Sequence, residues 1–230
     1  GAVYSKQSTS FRLWAPTADN VRICFYATGD GSEAVEIQDM KPDEGGTWVY
    51  TKEGDLHKLY YTYLITVNGK EQETNDPYGK ATGVNGRRSM VVNLEKTNPE
   101  GFENDHGPEV KKWTDIVVYE VSVLDTTSDE TCNAKHPGKY IGLVETGTKT
   151  ANGTPTGLDH ILDLGVTHVQ IMPSYDFGSI DESKPEEPQY NWGYDPINYN
   201  VPEGSFSTDA FHGEVRIKEY KEMVQGFHKQ

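Results

Sequence analysis

Between Gln189 and Asp209 the chain reads QYNWGYDPINYNVPEGSFSTD, which spaces Tyr190, Trp192, Tyr194, Tyr199 and Phe206 with Asn, Asp, Glu, Gly and Pro. Flat rings beside amides and carboxylates suit either of two tasks. They can close a hydrophobic lid over a core, or they can form a platform for a ligand with apolar faces and a hydroxyl-rich rim. A pyranose is such a ligand, because a ring covers its C–H face while adjacent polar groups meet its hydroxyls. Tyr194 and Asp195 place both kinds of group side by side. Asp195 equally fits an Asx turn before Pro196. Trp192 offers a large ring and one N–H donor, and Asn191 can satisfy loop backbone groups. Gly193, Pro196, Pro202 and Gly204 predict that the segment lacks a regular element, and Tyr199 and Phe206 read as packing residues.

Further candidates follow two apolar runs. Asp125 lies just beyond DIVVYEVSV, and Asp176 and Phe177 lie just beyond THVQIMP. These positions could share a layer with the ring-rich loop. The seven histidines do not cluster with Cys or Asp at metal-ligand spacing. DPYGKATGVNGRR is not a phosphate loop, and NPEGFENDHG lacks calcium-loop spacing. The two cysteines, Cys24 and Cys132, form no motif. A formal charge of -15 disfavours nucleic acid and anionic membranes as partners. No apolar run approaches a membrane span. The opening GAVYSKQSTSFRLW does not read as a signal peptide, and localisation stays open.

The elements that must hold these residues fall into two kinds. Residues 1–96 alternate in the manner of half-buried strands: SFRLWAP, NVRICFYA, AVEIQDM, TWVYTK, a hairpin LYYTYLITVNGKEQET turning at Asn68–Gly69, and RRSMVVNL. This predicts an all-β, immunoglobulin-like sandwich, with Trp14 in its core and Trp48 a weak candidate for sugar stacking. Residues 97–112, rich in Pro, Gly and acid, read as a linker. Residues 113–230 then read strand, helix, strand, helix. DIVVYEVSV and THVQIMP are nearly continuous apolar runs, as buried parallel strands require. GLDHILDLGV predicts a short helix with Leu158, Ile161, Leu162 and Leu164 inward and Gly165 at its end. GEVRIKEYKEMVQGFHKQ predicts a longer one with Val215, Tyr220, Met223, Val224 and Phe227 in one stripe. The fold class is therefore multidomain: a sandwich followed by the beginning of an α/β fold with parallel strands, which the family resemblance given below makes the first two β/α units of a TIM (β/α)8 barrel. A whole barrel needs about 250 residues. The remainder of the barrel, in the same protein or a second chain, is the expected partner.

YNWGYDP closely resembles the signature of type I pullulanases, starch-debranching enzymes of glycoside hydrolase family 13. FRLWAPTADNVRICFY resembles the first strands of a family 48 carbohydrate-binding module. DIVVYEVSV resembles the first barrel strand, GKYIGLVETGTKTANGTPTGLDHILDLGVTHVQIMPSYDF the segment through the second, and GEVRIKEYKEMVQGFHK the helix before the third. One departure stands out: relatives usually read His-Val-Arg-Asp where this chain has Ser122-Val123-Leu124-Asp125.

The resemblance implies retaining hydrolysis of α-1,6-glucosidic branch bonds in pullulan, amylopectin and limit dextrins. It also implies that the family's catalytic Asp, Glu and Asp lie on later barrel strands, so that residues 1–230 alone are inactive. Implied substrate contacts are Tyr194 and Asp195, at the subsite before the scissile bond. Trp192, Asn191, Asp125, Asp176 and Phe177 are further candidates. Family 13 enzymes often bind calcium, but no ligand set is assigned here, and no other cofactor is expected. Two other readings remain: a non-catalytic glucan-binding module, and an amylopullulanase or other family 13 hydrolase.

Overall fold

The computed structural model describes residues 1–230. Nine strands build the first part: β1 (Ala2–Tyr4), β2 (Ser8–Trp14), β3 (Asn20–Tyr26), β4 (Ala34–Asp39), β5 (Lys41–Asp43), β6 (Thr47–Glu53), β7 (Tyr60–Val67), β8 (Lys70–Thr74) and β9 (Ser89–Met90). They form two sheets, one in the order β1-β2-β6-β5 and one in the order β4-β3-β7-β8, with β9 also on β7. Every pairing in them is antiparallel.

Alternation explains what lies between the sheets. Phe11 and Leu13 of β2 point inward, as do Val21, Ile23 and Phe25 of β3 and Tyr61 and Tyr63 of β7. The rings meet edge to face, Phe11 on Tyr61 at 4.9 Å and on Phe25 at 5.5 Å. The hairpin turns where expected, with both Asn68 and Gly69 at positive φ. Trp14 corrects the core expectation. A period of two that buries Leu13 must turn Trp14 outward, and it is 66% exposed, its indole N–H donating to the Gly45 carbonyl. RRSMVVNL contributes only the short β9.

The other face of the second sheet is also covered. Cys24, Tyr26, Tyr60 and Met90 form a cluster with Ala81 and with Ile217 from the second half. The segment read as a linker is likewise tied down. Lys221 donates to Leu94, Thr97 and Asn98, Gln225 donates to the Glu100 carbonyl, and His228 contacts Asp105.

In the second half, β10 (Val118–Val121) is followed by α1 (Gly157–Asp163) and β11 (His168–Ile171). β10 and β11 pair in parallel from Val118↔His168 to Val121↔Ile171. The expectation that DIVVYEVSV is buried throughout needs correction: Val117, Val118 and Tyr119 are exposed, while Val121 and Val123 are buried. In α1, Leu158 and Ile161 face inward, but Leu162 and Leu164 face out. Gly165, at φ 70°, ends that helix as expected.

The ring-rich segment, expected to lack regular structure, contains a strand. β12 (Tyr175–Phe177) pairs antiparallel with β13 (Pro196–Pro202) through an irregular register. The prolines occupy the first and last positions of β13, where a missing N–H costs little. Helix α2 (Gly213–His228) packs Met223 into a core with Val121, Val123, Tyr140, Leu143, Ile161, Phe177 and Phe206. No helix is long and apolar enough to cross a membrane.

Candidate functional site

A cavity of about 260 Å³ opens at the carboxyl ends of β10 and β11. Ser122–Asp125, which follow β10, form one wall, and Met172 and Pro173, which follow β11, form a second. Tyr190–Tyr194 form the third, and Phe206 closes the floor. Four candidates from the sequence, Asp125, Asn191, Trp192 and Tyr194, therefore meet at one opening.

The rings of this wall stay in solvent: Tyr190 is 74% exposed, Trp192 66% and Tyr194 51%. Trp192 and Tyr194 lean together with centroids 5.1 Å apart and planes at 52°. Leaving three large rings open costs hydrophobic burial, which a ligand with apolar faces would recover. Asn191 shapes the turn beneath them, because its side-chain oxygen accepts the Gly193 N–H at 2.7 Å. Gly193 sits at φ 86°, and a Cβ there would lie 3.1 Å from the Pro173 carbonyl. Asp195 ties the base of the loop: Ser179 Oγ donates to it, and the Gly178 N–H donates to its carbonyl. The Ser179 bond holds its carboxyl below the usual range, with Asn191 adding to the effect. Asp125 is exposed at the rim, its N–H donating to Ser122 Oγ.

Asp176 and Phe177, expected to wall the same opening, lie elsewhere. Phe177 is 3% exposed in the core, and Asp176 is fully buried. The reason for Asp176 is Arg216, which is also fully buried. Its guanidinium donates to Asp176 Oδ1 and to Glu182 Oε2, both at 3.0 Å, and to the carbonyls of Pro202, Ala210 and Gly83. Tyr199 also departs from expectation. It is 71% exposed and forms a tilted pair with the Tyr175 ring.

Glu203 completes an acidic group whose members, Asp176, Glu182 and Glu203, come within 4.8 Å of one another. Burial, outweighing the pull of Arg216, raises Asp176 to about 6. Burial, reinforced by the charges of Glu182 and Asp176, raises Glu203 to about 8. Burial works against the Arg216 cation, but the three carboxylates outweigh it and hold the guanidinium protonated.

Three carboxylates at this spacing are chemically able to hold a metal ion such as calcium. Their oxygens are already engaged, however. Besides the Arg216 bonds, Asp176 Oδ2 accepts from Asn198 at 2.6 Å. Glu182 accepts from the N–H groups of Asn85 and Gly204. Glu203 accepts from those of Phe177 and Ser205. With a guanidinium seated among them, the donor set fits an internal cation better than a dissolved one.

The group was missed at the sequence level although one signal was present. Arg216, Tyr220, Met223 and Phe227 follow the i, i+4, i+7, i+11 spacing of one helix face. A cation on an apolar stripe asks for buried anions. Glu182, Glu203 and Asn85, its partners in the network, carry no motif of their own.

Comparison with known proteins agrees in every direction. Residues 1–79 match the family model described as carbohydrate-binding module 48, the isoamylase N-terminal domain. A pullulanase of Bacillus subtilis is 34% identical, aligned over all of this chain and 31% of its own length. A chloroplastic pullulanase of Arabidopsis thaliana is 30% identical over 98% of this chain and 27% of its own length. Among solved structures, the Paenibacillus barengoltzii pullulanase in complex with maltohexaose and α-cyclodextrin superposes with a TM-score of 0.97 at 49% identity, over all of this chain and 36% of that one. The Bacillus acidopullulyticus pullulanase gives a TM-score of 0.94 at 44% identity, over 28% of its chain. The chain thus spans about a third of these relatives, or less.

Proposed function

The chain belongs to the pullulanase family of glycoside hydrolases, with a family 48 carbohydrate-binding module at residues 1–79, and from that premise we propose that it supplies one wall of the substrate cleft of a starch-debranching enzyme. In this reading residues 1–96 are the module and 97–112 the connection. Residues 113–230 are the first two units of a (β/α)8 barrel, with β10 and β11 as its first strands. The enzyme cleaves α-1,6-glucosidic linkages in pullulan, amylopectin and limit dextrins.

The observation that carries the proposal is the open shelf of Trp192 and Tyr194 at the carboxyl ends of two parallel strands. In barrels of this kind substrates bind at that end. The rings cover the apolar face of a glucosyl unit, and Asp125 at the rim accepts hydrogen bonds from its hydroxyls. Asp195 acts mainly by fixing the loop.

Retaining hydrolysis needs two carboxylates about 5–5.5 Å apart that flank the scissile bond. One attacks the anomeric carbon, and the other protonates the departing oxygen and then activates water. The close carboxylates of this chain, Asp176, Glu182 and Glu203, are buried and hydrogen-bonded to protein donors, so they do not reach a sugar. The reacting pair is therefore assigned to the rest of the barrel, and this chain binds and orients.

The test is Tyr194→Ala in the protein that joins this chain to the rest of its barrel. Losing a stacked ring removes about 1.5–3 kcal/mol of binding, a fall of about ten- to a hundred-fold in kcat/KM on pullulan. An unchanged kcat/KM would overturn the reading.

A further inference from the structure

We propose that Asn85 of the N-terminal module is a positioning residue for the Trp192–Tyr194 shelf, a proposal that rests on the cleft reading above. The argument begins with a tight loop. Asn85 adopts a left-handed backbone at φ 58° and ψ 21°, which Asn tolerates better than most residues. That conformation points its amide N–H and its side chain the same way, into the loop between β12 and β13.

Three hydrogen bonds result, all to residues nearly a hundred positions away. The Asn85 N–H donates to Glu182 Oε2 at 2.6 Å, and its Nδ2 donates to Asp181 Oδ1 at 3.0 Å. Its Oδ1 accepts the Glu182 N–H at 2.7 Å. This is a reciprocal clasp of side chain on backbone, and it specifies one register between module and loop.

The clasp continues toward the rings. The Asp181 N–H donates to Gln189 Oε1 at 2.7 Å, and Gln189 Nε2 donates back to the Asp181 carbonyl at 3.0 Å and to that of Lys184 at 3.1 Å. Gln189 immediately precedes Tyr190, so the strap fixes the start of the shelf. The Ser179–Asp195 bond fixes its end. Behind the clasp, Arg216 holds Glu182 and reaches the Gly83 carbonyl of the same module loop. The module thus acts on substrate binding without touching sugar: it closes one end of a strap whose exposed middle carries the rings.

Asn85→Gly removes the side chain while keeping the left-handed backbone free of strain. Gln189→Ala cuts the second link and leaves the module contact whole. Amide hydrogen exchange of residues 178–195 should quicken at least about ten-fold in both variants, relative to the global unfolding rate of each. In the protein carrying the rest of the barrel, KM for pullulan should rise about three- to ten-fold with kcat held within about two-fold, the mark of lost uniform binding. Exchange over 178–195 that changes only in step with global stability overturns the proposal. Where Tyr194→Ala lowers kcat/KM, a loosened loop with unchanged KM overturns it too. The two readings separate cleanly: a silent Tyr194→Ala sinks the cleft assignment alone, and the exchange comparison still decides the strap.

Discussion

Replacing Glu203 by Gln should flatten the pH dependence of stability. Arg216 pairs with Asp176 and Glu182, and Glu203 lies within 4.8 Å of both, so with all three ionised the group would hold two negative charges in excess. Burial and its neighbours keep the Glu203 proton on until about pH 8, against an ordinary 4.5. Between pH 5 and 7 the unfolded chain has released that proton and the folded chain retains it. The unfolded state then binds fewer protons, and stability falls as pH rises. The slope for one such group is about 1.4 kcal/mol per pH unit, on the order of 2–3 kcal/mol across the window. Asp176 contributes in the same direction between 3.8 and about 6. The amide introduced by Glu203→Gln carries no proton to lose and removes a negative neighbour of Asp176. The substitution has its own constant cost. Two backbone N–H groups, of Phe177 and Ser205, point at the two oxygens of Glu203. An amide can accept only one of them, a loss of about 1–3 kcal/mol at every pH. Urea unfolding of both proteins at pH 5, 6, 7 and 8 separates the two effects. The variant should be the less stable at pH 5, and the gap should close or reverse by pH 8. Parallel curves would refute the assignment of a retained proton to this group.

Arg216→Met should cost about 3–5 kcal/mol in urea unfolding at pH 7, because it strands buried carboxylates, and less at pH 5, where they take up protons. Gly86→Ala should destabilise by at least about 2 kcal/mol by the same assay: Gly86 sits at φ 62°, and an added Cβ would lie 2.6 Å from Asn198 Nδ2. Because the oxygens of the acidic group are already satisfied, EGTA should leave Tm unchanged. A calcium-dependent rise in Tm that Glu203→Gln abolished would show instead that the group holds the ion.

What the chain revealed before its structure was known depended on how local the cause was. Strand alternation in SFRLW and NVRICFY, the turn at Asn68–Gly69 and the stop at Gly165 are written in neighbouring residues, and each stands where expected. The cavity wall was also legible, because rings and breakers alternate within one short segment. Asp176 was not. Its position after an apolar run suggested a rim, while its burial depends on Arg216, forty residues away. Strand β13 was hidden for the same reason, since it forms against β12, whose Tyr175 lies opposite Pro202 and Phe177 opposite Pro196. The exposed faces of Val117, Val118 and Tyr119 show the converse. Their sequence prescribes burial that residues 1–230 do not provide.

The β-sandwich half bears on the ring-bearing loop through packing and charge together. Ile217 of α2 fills the second face of the β4-β3-β7-β8 sheet, and the next residue toward the amino end, Arg216, reaches Gly83 in the loop between β8 and β9. One turn of helix therefore joins an apolar contact, which is indifferent to direction, to a polar contact that fixes register. The polar contact carries most of the specificity. A sheet face can slide on Ile217, but the Asn85 clasp is satisfied in one arrangement only. The buried charges thus sit where they do not for their own stabilising worth, which is small or negative in isolation. They fix how the β-sandwich meets the ring-bearing loop, and hence where the proposed shelf stands.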